Sequence, residues 1–341
     1  MLLVGVVSLL VACPDQLPTS PDGAGSYPDG DIVYLVGSKP GGGYDLYARL
    51  VARYLQKYLP GSRVRVKNTP GAGSIVAFNR LAVARPDGLT IGTFNSGLLY
   101  AQLLGNEALQ EDLASLSWIG KAATNQRVLV ASRKSGFRTL EAMAASRYPV
   151  LFGASAVGSA SHSEALMMGS MLGLKLKIIT GFAGNDSQMS MLRGEIAASF
   201  GSLSSYRSFV SRGDGVILMR IGKGDRFERV RSSNPPEVDG ARSEAVFNLI
   251  DAVASLGRVT AAPPDVPDRV LVMLRDAYDR ALSDPGLLAE AERLGLPIDS
   301  LSGNEVESQV MHILDQPEEF RGFLRTLTGQ RQEERTSWTF Y

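Results

Sequence analysis

The sequence predicts an α/β protein of two domains. Its 341 residues suffice for two domains of ordinary size. A composition of 44% hydrophobic and 21% charged residues is that of a globular chain able to bury a core. From residue 31 onward, short apolar runs alternate with amphipathic stretches at helical spacing, a βαβ rhythm that implies mainly parallel sheets with right-handed crossovers. Periodicity leaves open whether the domains follow one another or interleave.

The chain opens with uninterrupted apolar and small residues over 1–12, followed by Cys13. This run is too short to span a bilayer as a helix but fits the apolar region of a signal peptide. Leu10-Val11-Ala12-Cys13 resembles the lipobox of bacterial lipoproteins, in which the cysteine is lipidated and becomes the new N-terminus. No Lys or Arg precedes the run, a departure from a signal's positive start. Residues 1–13 are expected to be a lipoprotein-type signal, and 14–30, rich in Pro, Asp, Ser and Gly, a flexible tether. Secretion without lipidation and a buried N-terminal element with a core cysteine are the alternatives. With one cysteine, no intrachain disulfide can form.

After the tether, Ile32–Val36 is a continuous apolar run, as in a strand buried on both faces. The loop Gly37–Gly43 leads to a helix marked by Leu46, Leu50, Tyr54 and Tyr58, which Pro60-Gly61 stops. Val64 and Val66 begin a second strand. Asn68–Gly73 is a second glycine loop, after which Ser74 is placed to cap a helix reaching about Ala84. Pro86-Asp87-Gly88 turns the chain into a strand over Leu89–Phe94. Further strands are expected at Val128–Ala131, Val150–Gly153, Leu176–Ile179, Ile196–Phe200, Val216–Ile221 and from Arg258. Helices are expected at Thr139–Ala145, Ser161–Leu172 and Ser187–Leu192. Gly222–Gly240 reads as a long surface loop. Beyond it the chain is mostly helical, with an amphipathic Val270–Leu282, a helix begun by Asp284-Pro285, and a Ser302/Glu305 capping box.

Lys+Arg and Asp+Glu are both 35, so nothing here suggests nucleic acid as the main partner. Three loops rich in glycine and small hydroxyl residues lie between a strand and a helix: Gly37–Asp45, Asn68–Ser74 and Gly153–His162. Such loops meet at the carboxyl ends of strands, where free helix N–H groups suit small anions. Position 46 is Leu, which breaks a dinucleotide fingerprint, and no ATP-type phosphate loop occurs. Any one such loop can equally be a tight turn. No Cys/His cluster suits a transition metal, and no cofactor motif appears. A hydrolase using Ser159 or Ser161 with His162 is the enzymatic alternative, although Gly153–Gly158 is not a nucleophile elbow. His312, the acid pairs Glu111-Asp112, Glu318-Glu319 and Glu333-Glu334, and the core-filling Met167, Met168 and Met171 carry no chemistry on this reading. Arg258, in Leu256-Gly257-Arg258-Val259, can grip a carboxylate bidentately or lie solvated on the surface.

The run from Tyr34 to Arg49 (YLVGSKPGGGYDLYAR) resembles the first strand, loop and helix of the substrate-binding proteins of tripartite tricarboxylate transporters, also called Bug proteins. Asn68–Ser74 (NTPGAGS) with Ala84–Gly92 (ARPDGLTIG) is similar to their second signature. Gly181–Gly184, Met191–Glu195 and Ala262–Pro267 are similar to later segments, so the likeness covers roughly residues 31–325. The resemblance implies a type II periplasmic-binding-protein fold, with domain 1 formed by 31–124 and 258–341 and domain 2, 125–257, inserted through a two-crossing hinge. It implies a non-enzymatic, monomeric periplasmic protein, tethered through a lipid on Cys13, that delivers a small di- or tricarboxylate-like ligand to integral-membrane permease subunits. A sensing role toward a receptor is the alternative. Carried over by position, the ligand wall of domain 1 is Gly41, Gly42, Tyr44, Asp45, Gly73 and Ser74. That of domain 2 is Ser155, Gly158, Ser159 and Ser161, with Gly184 and Asn185 opposite. Lys39 stands where many members have an aromatic or small residue, and Asp186 would repel an anion unless it points away.

Overall fold

The computed structural model describes residues 27–182, 185–221 and 240–329. The expected signal, most of the tether and all but the last residue of the expected Gly222–Gly240 loop lie outside the described residues, as do Ala183, Gly184 and Glu333-Glu334. In chain order the elements are β1 (Ile32–Val36), α1 (Gly43–Tyr58), β2 (Val64–Asn68), α2 (Ile75–Ala82), β3 (Thr90–Thr93), α3 (Gly97–Leu103), β4 (Ser117–Lys121), β5 (Arg127–Ser132), α4 (Leu140–Ala144), β6 (Val150–Ala154), α5 (Ala160–Met171), β7 (Leu176–Thr180), α6 (Asp186–Arg193), β8 (Ala198–Ser202), α7 (Leu203–Ser211), β9 (Gly215–Ile221), α8 (Gly240–Ser255), β10 (Val259–Ala262), α9 (Asp268–Leu282), α10 (Pro285–Leu294), β11 (Leu301–Ser302), α11 (Gly303–Leu314) and α12 (Glu318–Leu327).

Two sheets organise the chain. One has six strands in the order β11-β4-β10-β3-β1-β2, the other five in the order β7-β6-β8-β5-β9. The expectation of mainly parallel sheets needs correcting, because both are mixed. β1 is parallel to β2 and β3, whereas β10 is antiparallel to β3 and β4, and β11 to β4. In the second sheet β6 is parallel to β7 and β8, whereas β5 is antiparallel to β8 and β9. The physical reason is connectivity. β5 and β10 enter their sheets from the segments that pass between the sheets, not through a βαβ crossover that would set them parallel.

Those two passages lie side by side. The Ala122 amide donates to the Arg258 carbonyl (2.9 Å), and the Asn125 amide to the Ala254 carbonyl (2.8 Å). Gly257 makes this possible, since a Cβ there would lie 2.2 Å from Cβ of Asn125. The sheets also share an apolar core. Leu98 and Tyr100 of α3 and Ala165 and Met168 of α5 belong to one buried cluster, and α3 packs on α5. Met167, Met168 and Met171 fill this core, as their helical spacing suggested. A second cluster holds α1 and α9 against the first sheet through residues such as Leu50, Val51, Leu274 and Tyr278. Residues 27–30, at the end of the expected tether, are held: Tyr27 Oη donates to the Gly88 carbonyl (3.0 Å) and Ser62 Oγ to that of Gly30 (2.7 Å).

Candidate functional site

A cavity of about 500 Å³ lies between the two sheets. Loops at the carboxyl ends of β1, β2 and β3 form one wall, and loops after β6, β7 and β8 the other. This is the position at which open α/β sheets bind ligands. Of the expected ligand residues, Gly42, Tyr44, Gly73, Ser74, Ser155 and Ser161 line it. Gly41, Asp45, Gly158, Ser159 and Asn185 are not among the lining residues, and Gly184 is outside the described residues.

Asp45 and Ser159, though outside the cavity lining, are buried and hold its loops together. Asp45, in the first turn of α1 and 2 % exposed, accepts from the Gly41 amide (2.9 Å), Arg49 Nε (3.0 Å) and Asn68 Nδ2 (2.8 Å). It thereby ties the first glycine loop to the start of the second. Burial raises its pKa, but the hydrogen bonds from Arg49, Gly41 and Asn68 outweigh that and hold it below the ordinary value. Ser159 caps α5, its Oγ accepting from the His162 amide (3.4 Å) and donating to the Ala156 carbonyl (2.7 Å). Its side chain is fully buried and committed to this turn, which removes it as a nucleophile facing the cavity. His162 Nδ1 accepts from the Gly158 amide (3.4 Å), and burial lowers its pKa, which favours the neutral imidazole.

Ser74 departs from its expected role as helix cap. It stands before α2 with φ 89° and makes no capping bond. Instead its buried Oγ donates to the Gly37 carbonyl (2.8 Å) and accepts from the Asn95 amide (3.0 Å). One hydroxyl thus joins the loops that follow β1, β2 and β3. The left-handed backbone at Ser74, unusual for a residue with a Cβ, turns the side chain toward those strand ends. Asn95, which pattern reading missed, links the two walls: its Oδ1 accepts from the Gly97 amide (2.8 Å) and, across the cleft, from the Ala160 amide (3.1 Å). The visible signal was Asn95-Ser96-Gly97 directly after a strand, the same context as the other loops. Gly73 also reaches the opposite wall: a Cβ there would lie 3.1 Å from the Ser159 amide nitrogen.

Further residues not foreseen are Asn125, Arg127, Ser187, Ser199, Ser202, Ser205 and Tyr206. Most of these hydroxyls are already engaged, as in Ser187–Tyr206 (2.9 Å) and Ser202–Ser205 (2.6 Å). Arg127 Nε contacts both carboxylate oxygens of buried Glu164 (2.9 Å each). Burial disfavours its charge, but the Glu164 carboxylate prevails and keeps the guanidinium above its ordinary pKa. At the cavity mouth, Lys39 Nζ faces Asp186 at 3.8 Å with both side chains more than half exposed. Asp186 is therefore turned to Lys39 and is absent from the cavity lining.

The electrostatics favour an anion. Helices α1, α5 and α7 all begin at the cavity, presenting the positive ends of their dipoles. The lining contains Lys39, Arg127 and Arg258 and, among the described residues, no Asp or Glu. No group of His, Cys, Asp and Glu that could hold a metal ion occurs among the described residues, and none of their helices is long and apolar enough to cross a membrane.

Comparison with known proteins agrees with this geometry. The sequence pattern of the family described as "Tripartite tricarboxylate transporter family receptor" matches residues 47–318. Protein BugT of Bordetella pertussis is 26% identical over 296 residues, covering 84% of this chain and 86% of BugT. The periplasmic binding protein BugD superposes with a TM-score of 0.71 at 19% identity, over 89% of this chain and 99% of BugD. MatC from Rhodopseudomonas palustris, solved with bound malate, has a TM-score of 0.66 at 19% identity, over 85% and 99% of the two chains.

Proposed function

Because this chain belongs to the family of tripartite tricarboxylate transporter receptors, we propose that it captures a small di- or tricarboxylate-like anion by closing its two walls about the paired crossings, and delivers it to the permease subunits of such a transporter. The observation that carries this reading is the convergence of three helix N-termini on a cavity whose lining, among the described residues, holds cations and no carboxylate. The malate bound to MatC supports the ligand class. The moving halves are residues 31–124 with 258–341 and residues 125–257, a division supported by the strand membership of the two sheets. The protein works as a periplasmic monomer, held at the membrane by lipid on Cys13.

Micromolar capture needs about 8 kcal/mol. Hydrogen bonds to a charged group contribute about 1.5–3 kcal/mol each, and a partly buried helix N-terminus up to about 2 kcal/mol. A few such contacts suffice. The test is a thermal-shift screen against mono-, di- and tricarboxylates, sugars and cations. A carboxylate at about 100 times its dissociation constant is expected to add roughly 2.7 kcal/mol of stability. Stabilisation by sugars or cations but by no acid refutes the ligand class. Ester turnover abolished by His162→Ala would replace the reading with hydrolysis.

A further inference from the structure

Arg258 is the cavity residue least accounted for by its protein surroundings. It is 5 % exposed. Its neighbour on the wall, Arg127, is equally buried but is matched by Glu164. Arg258 has no such match among the described residues. Its Nη1 donates to the adjacent Gly257 carbonyl (3.0 Å), and its buried Nε has no partner. Its guanidinium lies over the ring of Tyr44 at 4.1 Å and near that of Tyr47 at 5.4 Å. Cation–π contact offsets only part of the cost of removing a cation from water.

The setting of Arg258 makes the charge more exceptional. A Cβ on Gly43 would lie 2.7 Å from Arg258 Nη2, so the guanidinium rests against the first residue of α1. Glycine at 43 is needed for this approach. The N-cap of α1 is Gly42, which brings no side chain to the free N–H groups. A positive helix end and a buried cation thus face the same space, and an anion between them satisfies both. Asn125 lines the same end of the cavity.

The rest of the lining is reached along Tyr44. Tyr44 spans the interval, with its ring face on Arg258 and its Oη accepting from the Ser96 amide (3.2 Å). Beyond it lie Ser74, Asn95 and Ser161 at the start of α5. We infer that Arg258 and the uncapped start of α1 form a dedicated seat for one carboxylate, and that the serine–asparagine end takes the second. The ligand is accordingly a dicarboxylate, selected over a monocarboxylate by Arg258. This deepens the capture reading and rests on it.

The test couples a change in the protein to a change in the ligand. Calorimetric titrations use the straight-chain dicarboxylates from succinate to adipate, each beside its monomethyl ester. The wild-type protein is expected to prefer the best-fitting diacid over its ester by about 30-fold or more, the effect of truncating one partner of a buried charged pair. In Arg258→Gln that ratio falls to within about threefold. Arg258→Lys, which keeps the charge but loses the planar fork, is intermediate. Gly43→Ala, which displaces Nη2, flattens the ratio with Arg258 intact and serves if Arg258→Gln does not fold. A merely structural role predicts that both ligands weaken equally, and an unchanged ratio in Arg258→Gln and Gly43→Ala overturns the assignment. So does a wild-type protein that binds acids without preferring diacids, which leaves the capture reading standing. Failure of the wild-type protein to bind any acid defeats the capture reading and this inference with it.

Discussion

Gly97→Ala pushes the two walls of the cavity apart at the Asn95–Ala160 contact. Gly97 is the first residue of α3, in a backbone conformation that any residue adopts. Within its own half of the protein alanine exceeds glycine in helix propensity by up to about 1 kcal/mol, but its Cβ would meet Asn95 Oδ1 at 2.8 Å, so the Asn95 side chain must shift. Across the cleft its Cβ would lie 2.2 Å from the Ala160 nitrogen and 2.8 Å from the Ser159 carbonyl carbon. Relief requires the start of α5 to recede by about 1 Å to reach ordinary van der Waals separation. That movement breaks the Asn95–Ala160 hydrogen bond of 3.1 Å, which is worth about 1 kcal/mol. Overpacking generally costs about 1–3 kcal/mol. Because the two effects overlap, the closed form should lose about 1.5–3 kcal/mol, or about 10–150-fold in Kd if binding requires the walls to meet. Calorimetric titration with the preferred carboxylate gives the affinity, and a thermal melt without ligand checks the fold. A melt close to wild type with the weakened Kd is expected. An affinity within about twofold of wild type, on a folded variant, would refute the argument that the walls meet at Gly97 and Ala160 in the bound form.

Asp45 predicts a pH dependence. A carboxyl whose folded pKa lies below its unfolded value contributes stability that is full above the unfolded value and lost as pH falls through the folded one. The pKa of Asp45 lies below the ordinary 3.8, so the glycine loop should loosen below about pH 4. Asp45→Asn should weaken binding at pH 7 by about 1–2 kcal/mol and flatten the fall in stability between about pH 5 and pH 3; parallel pH profiles for variant and wild type would contradict this. For the N-terminus, intact mass after membrane extraction should report a chain that begins at a lipid-modified Cys13, and an unmodified chain retaining Met1 would exclude the anchor.

Local pattern made part of this protein legible. Continuous apolar runs mark β1 and β6, because strands covered on both faces need no polar alternation. The loops around Gly42, Gly73 and Ser155 were visible because glycine and serine cluster where chain direction changes, and all three reach the cavity. The capping box at Ser302 and Glu305 forms as the spacing indicates. What pattern could not supply depends on distant partners. The hydroxyl of Ser74 precedes an apolar helix and reads as a cap, yet Gly37 and Asn95 claim it. Arg127 looks like a polar flank to a strand until Glu164, 37 residues away, pairs with it. β4 and the two-residue β11 carry little periodicity of their own and are strands because β10 and β4 lie beside them. The reversed direction of β5 and β10 is likewise a property of the connection, not of either strand's composition. Arg258 was visible as a candidate, but only its burial beside Gly43 and Tyr44 distinguishes a seat in the cleft from a solvated side chain.

A crystal structure of the protein grown with the most stabilising carboxylate tests the central claim most directly. The account predicts that acid between the two walls, with its oxygens within hydrogen-bond reach of the start of α1 and of Ser74, Asn95 or Ser161. A carboxylate bound elsewhere on the molecule, with this cavity holding only solvent at saturating ligand, would contradict it.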